Sequence, residues 1–223
     1  MHPVLSCHEI SCRRAQANEQ PPVAVRRVSA TFAAGECCVI SGGEQGGKEL
    51  LLQVLGLLEP ADEGEVIVAG RSTKGLEADA LQHLRNETYG FIFRHPCLLP
   101  SFSIAENVAM PLFRICGGDA KGVRARTREI LAFCGIEHLE GHLAGKLSPA
   151  ERQTAALARA LVHGPQIVVA VSPVDHGGLL DPARRAAAEL GLCILWTSDS
   201  PWPGAAHRVL QIEHGQIIND VRP

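Results

Sequence analysis

The segment Gly42-Gly43-Glu44-Gln45-Gly46-Gly47-Lys48 has the spacing G-x-x-x-x-G-K, in which successive backbone N–H groups cradle phosphate oxygens and the lysine reaches the terminal ones. Such a loop works in one setting, after a strand and before a helix whose N-terminal dipole favours an anion. The flanks supply both. Val25–Phe32 and Glu36–Ser41, joined by Ala33-Ala34-Gly35, read as a strand, a turn and a second strand. Leu50-Leu51-Leu52-Gln53-Val54-Leu55 is apolar enough for a helix buried over most of its surface. The competing reading is a glycine-rich turn ahead of a helix that binds nothing.

Further along, Glu65–Val68 and Tyr89–Phe93 read as strands, with a helix over Leu76–Leu84 between them. From Ser103 to Leu161 every periodic segment is helical: Ile104–Leu112, Gly122–Cys134 and Ala150–Leu161, with proline and glycine between them. Ile167–Val171 and Leu192–Trp196 are continuous apolar runs on either side of a helix over Pro182–Leu190. Fully apolar strands around a helix predict an α/β fold, with a mostly parallel sheet covered on both faces. His207–Glu213 and Gln216–Asn219, around His214-Gly215, read as a closing hairpin.

Composition narrows the function. A chain of 223 residues with 46% hydrophobic and 20% charged residues folds as an ordinary globular protein. With 21 basic against 24 acidic residues and 4% aromatics, it offers neither a basic footprint nor a stacking platform, so nucleic acid is not the expected partner. No run approaches the roughly 18 apolar residues of a membrane helix, and the N-terminus lacks a secretory pattern, so the expected address is cytosolic. The eight cysteines show no paired C-x-x-C spacing. Cys7-His8 with Cys12, and His95-Pro96-Cys97, lack a partner pair, and no metal site is assigned. Cys37, Cys38 and Cys193 lie inside apolar runs and read as small buried hydrophobes.

Taken in order, Ile40-Ser41-Gly42-Gly43 through Gly47-Lys48, Tyr89–Phe93, Leu98–Leu112, Leu147–Leu161 and Pro165–Ala170 resemble an ABC-transporter ATP-binding cassette over nearly the whole chain. The stretch Leu98–Leu112 looks most like the lipoprotein-releasing (Lol-type), macrolide-exporter and cell-division relatives. The resemblance implies a P-loop NTPase core with a mostly parallel sheet, an N-terminal antiparallel β part and an inserted helical subdomain. That is one cassette over 1–223, with 1–94 and 162–223 as the core and 95–161 as the helical subdomain. It implies ATP held by Gly42, Gly43, Glu44, Gln45, Gly46, Gly47, Lys48, Glu49 and Leu50, a dimer with itself or with a sister cassette, and a permease partner at the inner face of the cell membrane. Ser101–Phe113 would be the permease-facing surface, against the alternative of plain subdomain core.

The same resemblance shows what has been replaced. The family follows the lysine with Ser or Thr to hold Mg²⁺; this chain has Glu49. A like charge about 4 Å from a phosphate costs roughly 4 kcal/mol at an effective dielectric of 20, although a glutamate can itself ligate the metal. Arg94 stands for the family's glutamine, Val171 and Ser172 for the metal-binding aspartate and the acid that orients water, and Ser198 for its histidine. None of these is an acid or an unaided base. The signature Leu-Ser-Gly-Gly-Gln is Leu147-Ser148-Pro149-Ala150-Glu151, which loses an N–H at the proline and reads as a helix cap with Ser148 and Glu151 as a capping box. The aromatic residue under adenine is missing; among Arg13, Arg14 and Ala15, Arg14 could stack instead. Asp181 could be the family's interface aspartate. Several losses in one functional unit leave little catalysis. The expectation is therefore a non-hydrolysing cassette, with weak ATP and doubtful Mg²⁺ binding; the alternative is a residual ATPase in which Glu49 or Asp175 replaces the lost acids.

Overall fold

The computed structural model of the chain describes residues 3–14, 23–43, 45–116, 119–171, 179–199 and 206–222. The continuous apolar runs form a six-stranded sheet in the order β10-β9-β3-β8-β7-β6. Here β3 is Cys37–Ser41, β6 Tyr89–Phe93, β7 Ile167–Val171, β8 Cys193–Ser198, β9 Arg208–Glu213 and β10 Gln216–Val221. The first five in space after β10 run parallel, and β10 folds back antiparallel on β9. A second, antiparallel sheet has the order β2-β1-β4-β5, from β1 (Leu5–Arg14), β2 (Val23–Phe32), β4 (Glu63–Val68) and β5 (Arg71–Ser72).

Strand periodicity splits the large sheet's side chains between two cores. On one face Cys38, Ile40, Val169, Cys193 and Leu195 meet α1 (Lys48–Leu55) and, beyond it, the antiparallel sheet. On the other, Val39, Val168, Ala170, Ile194 and Trp196 meet the helices α3 (Ile104–Cys116), α4 (Ala120–Phe133), α5 (Pro149–Leu161) and α6 (Leu180–Leu190). Helix α1 is thus held between two sheets, with Leu50, Leu51, Leu52, Val54 and Leu55 all buried. The α/β class, with antiparallel and mostly parallel sheets and added helices, is the one expected.

The differences from expectation have local causes. The two strands on either side of the Ala33-Ala34-Gly35 turn belong to different sheets, β2 to the antiparallel one and β3 to the six-stranded one. Strand β1 was not legible because its two-residue alternation is broken: register shifts fall between Cys7 and Ile10 and between Ile10 and Cys12, and Glu9 adopts a φ of 50°. Helix α2 (Ala78–Thr88) starts later than expected and runs straight into β6. Helix α3 continues past Pro111 to Cys116. Cys37, Cys38 and Cys193 are buried as expected, and Cys7 and Cys12 are buried as well; burial pushes the Cys7 thiol up to about 11 and Cys37 to about 12. Among the described residues, no helix is long and apolar enough to cross a membrane.

Candidate functional site

Strands β3 and β8 are parallel neighbours, with Ser41 opposite Ser198. Both therefore release the chain at the carboxyl edge of the sheet, where ligands bind in folds of this class. Beyond β3 the loop turns on itself, the Gly46 N–H donating to the Gly43 carbonyl at 3.0 Å. The closing hairpin braces it: the Gly215 N–H donates to the Gly46 carbonyl at 3.0 Å, and the Arg26 N–H to the Gly215 carbonyl at 2.8 Å. Gly47 caps α1 with a φ of 94°, and a β-carbon there would lie 2.7 Å from the Ala24 carbonyl oxygen, so only glycine fits. The first bond within α1 is Leu51 N–H to Gly47 carbonyl, 2.8 Å; the N–H groups of Lys48, Glu49 and Leu50 precede it, as an anion-binding helix start requires.

Lys48 is only 1% exposed. Its ammonium donates to the carbonyls of Gly42 at 2.9 Å and Gly43 at 3.2 Å and lies 2.7 Å from Asp199 Oδ1. Glu49 Oε1 stands farther off, at 3.7 Å. Among the described residues the carboxylate closest to the lysine is therefore Asp199, ahead of its chain neighbour Glu49. The reason is helical: consecutive residues do not face each other, whereas β8 delivers Asp199 directly to the lysine. Asp199 has no signal of its own in the sequence; only the pairing of β3 with β8 reveals it. The Leu50 side chain lies in the apolar core, 5% exposed, so only its backbone faces the loop. Gly43 and Gln45 are exposed. Glu44 lies outside the described residues.

The replaced positions line up along the same edge, because β6, β7, β8 and β3 are adjacent. Val171 ends β7 opposite Phe93 and packs against the core that holds α1. Arg94, exposed, follows β6, and its carbonyl accepts from Gln153 Nε2 of α5 at 3.0 Å. Ser198 ends β8. Ser172 and Asp175 lie outside the described residues, as does Ala15. Asp181 is exposed in the first turn of α6.

Two further residues have definite structural employment. Ser148 is the N-cap of α5: its Oγ accepts the Glu151 N–H at 3.3 Å, and Glu151 Oε2 accepts the Ser148 N–H at 2.7 Å. Both halves of the capping box are formed. Arg14 does not offer a free plane for a base. Its guanidinium is held by Glu59 at 3.1 Å and Asp62 at 3.0 Å and donates to the carbonyls of Pro60 and Arg13. The hydrogen bonds to Asp62 and Glu59 push its pKa up.

On the side of β6 that faces α1, Tyr89, Phe91 and Phe93 recur at every second residue and stack, with ring centroids 5.9 Å apart in each pair. They belong to a groove of about 590 Å³ between α2, α3 and α5. Arg85, Arg114, Arg159 and His163 line it, and no described lining residue is a carboxylate. Nearby in sequence, Leu99, Phe102 and Phe113 are exposed hydrophobics.

Known proteins share this arrangement. The ABC transporter family matches residues 25–174. The chain is 36% identical over 198 residues to the lipoprotein-releasing system ATP-binding protein LolD of Bordetella avium, covering 86% of each. It is 35% identical over 218 residues to the macrolide export ATP-binding/permease protein MacB of Burkholderia pseudomallei, covering 93% of this chain but 33% of that one. The chain thus spans one third of the MacB relative's length. Its fold matches the cassette MJ0796, solved as a dimer, with a TM-score of 0.83 over 98% of both chains at 23% identity. The glycine loop, the strands beside it and the order of the helices together make this chain a member of the ABC transporter family, an ATP-binding cassette similar to those of LolD and MacB.

Proposed function

We propose that this chain is a non-hydrolysing cassette subunit that docks on an exporter-type permease, or on a sister cassette, and acts there as a structural or regulatory partner. The observation that carries this reading is Val171. At the carboxyl end of β7, where the resemblance calls for the aspartate that holds Mg²⁺, an isopropyl group packs into the core behind the loop. Ser148 supports it, since its hydroxyl and N–H are both engaged by Glu151. Glu49 in place of a hydroxyl weakens the case for Mg²⁺ further, and a Lys48 already bonded to the chain makes ATP binding weak. The likeness to LolD favours export of lipoproteins or lipids as the transport class.

The groove over β6 suits the permease. Three arginines and an aromatic ladder, with no acid among the described lining residues, fit a permease segment that carries carboxylates among apolar side chains. In this arrangement 95–161 faces the permease, 1–94 and 162–223 form the core with the loop, and the subunit sits peripherally at the inner face of the cell membrane as one half of a cassette dimer. Phosphate release from Mg-ATP by the purified chain, beside Lys48→Ala, tests the reading. Both are expected to run at the same background rate. Turnover that Lys48→Ala abolishes would overturn it in favour of a residual ATPase using Glu49 or Asp175.

A further inference from the structure

We infer that Asp199 is an internal occupant of the phosphate loop, an autoinhibitory contact that a phosphate group must displace before the loop can hold a nucleotide. The inference depends on the cassette reading only for the identity of the anion, a nucleoside di- or triphosphate.

The bond count at Lys48 carries the argument. An ammonium has three donors and no acceptor. Here two meet the carbonyls of Gly42 and Gly43, and the third meets Asp199 Oδ1 at 2.7 Å, the distance of a charge-assisted bond. Nothing is left over for a ligand. The two partners differ sharply in exposure: the lysine side chain is 1% exposed and the aspartate 84%. A buried ammonium stripped of its counter-charge is strongly disfavoured, so Lys48 must keep an anion at all times, whereas Asp199 is free to swing into water. Those conditions suit an exchange in which the carboxylate leaves as a phosphate oxygen arrives and the lysine is never unpaired.

Charge sets the direction of the bias. Lys48 contributes one positive charge, and Asp199 and Glu49, at 2.7 and 3.7 Å, contribute two negative ones. Among the described residues, the charges immediately around the lysine therefore sum to a negative value and oppose a polyanion until Asp199 withdraws. The topology makes the contact possible, because Asp199 is the first residue beyond β8 and β8 lies in parallel register with the strand that feeds the loop.

Calorimetric titration with ATP, and separately with inorganic tripolyphosphate, tests this in the full chain and in Asp199→Asn, Asp199→Ser, Asp199→Glu and the double variant Lys48→Ala/Asp199→Asn. Asp199→Asn and Asp199→Ser, which take away the lysine's closest counter-charge, are expected to melt below the parent and Asp199→Glu to melt as the parent does, so binding is compared at a temperature below all of their transitions. Asp199→Asn and Asp199→Ser are expected to bind both probes at least tenfold more tightly than the parent, Asp199→Glu to resemble the parent, and the double variant to lose the gain. Equal binding by parent and Asp199→Asn, whether tight or undetectable, would overturn the inference, as would a gain that survives without Lys48. The readout is binding, so ATP turnover by the parent would sink the non-hydrolysing reading and leave this one standing. Unchanged affinity in the Asp199 variants would do the reverse.

Discussion

Ser148 and Glu151 bond to each other at the start of α5, and Ser103 and Glu106 repeat the pattern at the start of α3, with the Ser103 N–H donating to Glu106 Oε2 at 2.7 Å and the Glu106 N–H to Ser103 Oγ at 3.2 Å. Replacing such a cap with alanine costs about 1 kcal/mol, so Ser148→Ala should lower the unfolding free energy read from urea denaturation by that amount and leave nucleotide affinity unchanged. The Ser148 hydroxyl, then its N–H, holds the Glu151 carboxyl below its usual 4.5, and Ser103 does the same to Glu106. A carboxylate with a depressed folded pKa gives its full stabilisation above the unfolded value and loses it as pH falls through the folded one. The chain should therefore lose stability as pH drops below about 4.5, and Ser148→Ala should flatten that acid limb in denaturation series at neutral and acidic pH. The cap was legible in the sequence because its partners sit three residues apart. The Lys48–Asp199 contact was not, because it joins residues far apart in the chain that only the sheet brings together.

Among the elements, β6 and α5 approach unusually closely. A β-carbon on Gly90 would stand 2.1 Å from the Ala160 carbonyl oxygen, so Gly90→Ala must push strand and helix apart. Overpacking of this kind costs about 1–3 kcal/mol, to be read as a lowered midpoint in chemical denaturation. The closing hairpin has its own anchor. Arg208 of β9, 4% exposed, meets both carboxylate oxygens of Asp220 in β10 at 2.7 Å and donates to the Thr31 carbonyl of β2 at 2.6 Å. Asp220→Ala would leave that guanidinium with Glu36 at 3.7 Å as its remaining close acid. Because Asp220 is itself 48% exposed, the expected loss is about 2 kcal/mol, between the surface and buried limits for ion pairs. Strands β6 and β7 were legible to the residue, since a short apolar run between polar neighbours has clear ends. Helices α2 and α3 drifted at their ends because neither Leu84 nor Pro111 stops a helix held by its neighbours.

At the scale of the molecule, the two cores keep most thiols out of reach. A thiol reagent at neutral pH should modify Cys97, which is exposed, while Cys7, Cys37, Cys38 and Cys193, whose thiols burial pushes up, should react only on unfolding; mass spectrometry of labelled peptides distinguishes the two sets. The layered architecture was legible because hydrophobic runs dictate layers, whereas the groove over β6 was not, since it is built from α2, α3, α5 and a strand that are distant in the chain. That groove has a consequence for handling the protein alone. Among the described strands β6 ends the large sheet, and it carries an aromatic ladder. An edge of this kind invites pairing with another chain, and Arg85, Arg114 and Arg159 are the like charges that keep two such edges apart. Salt screens that repulsion, with a Debye length of about 10 Å at 0.1 M and about 3 Å at 1 M. Light scattering of the isolated chain should therefore rise with ionic strength, the opposite of what a salt-bridged assembly does, and solubility should be best in dilute buffer.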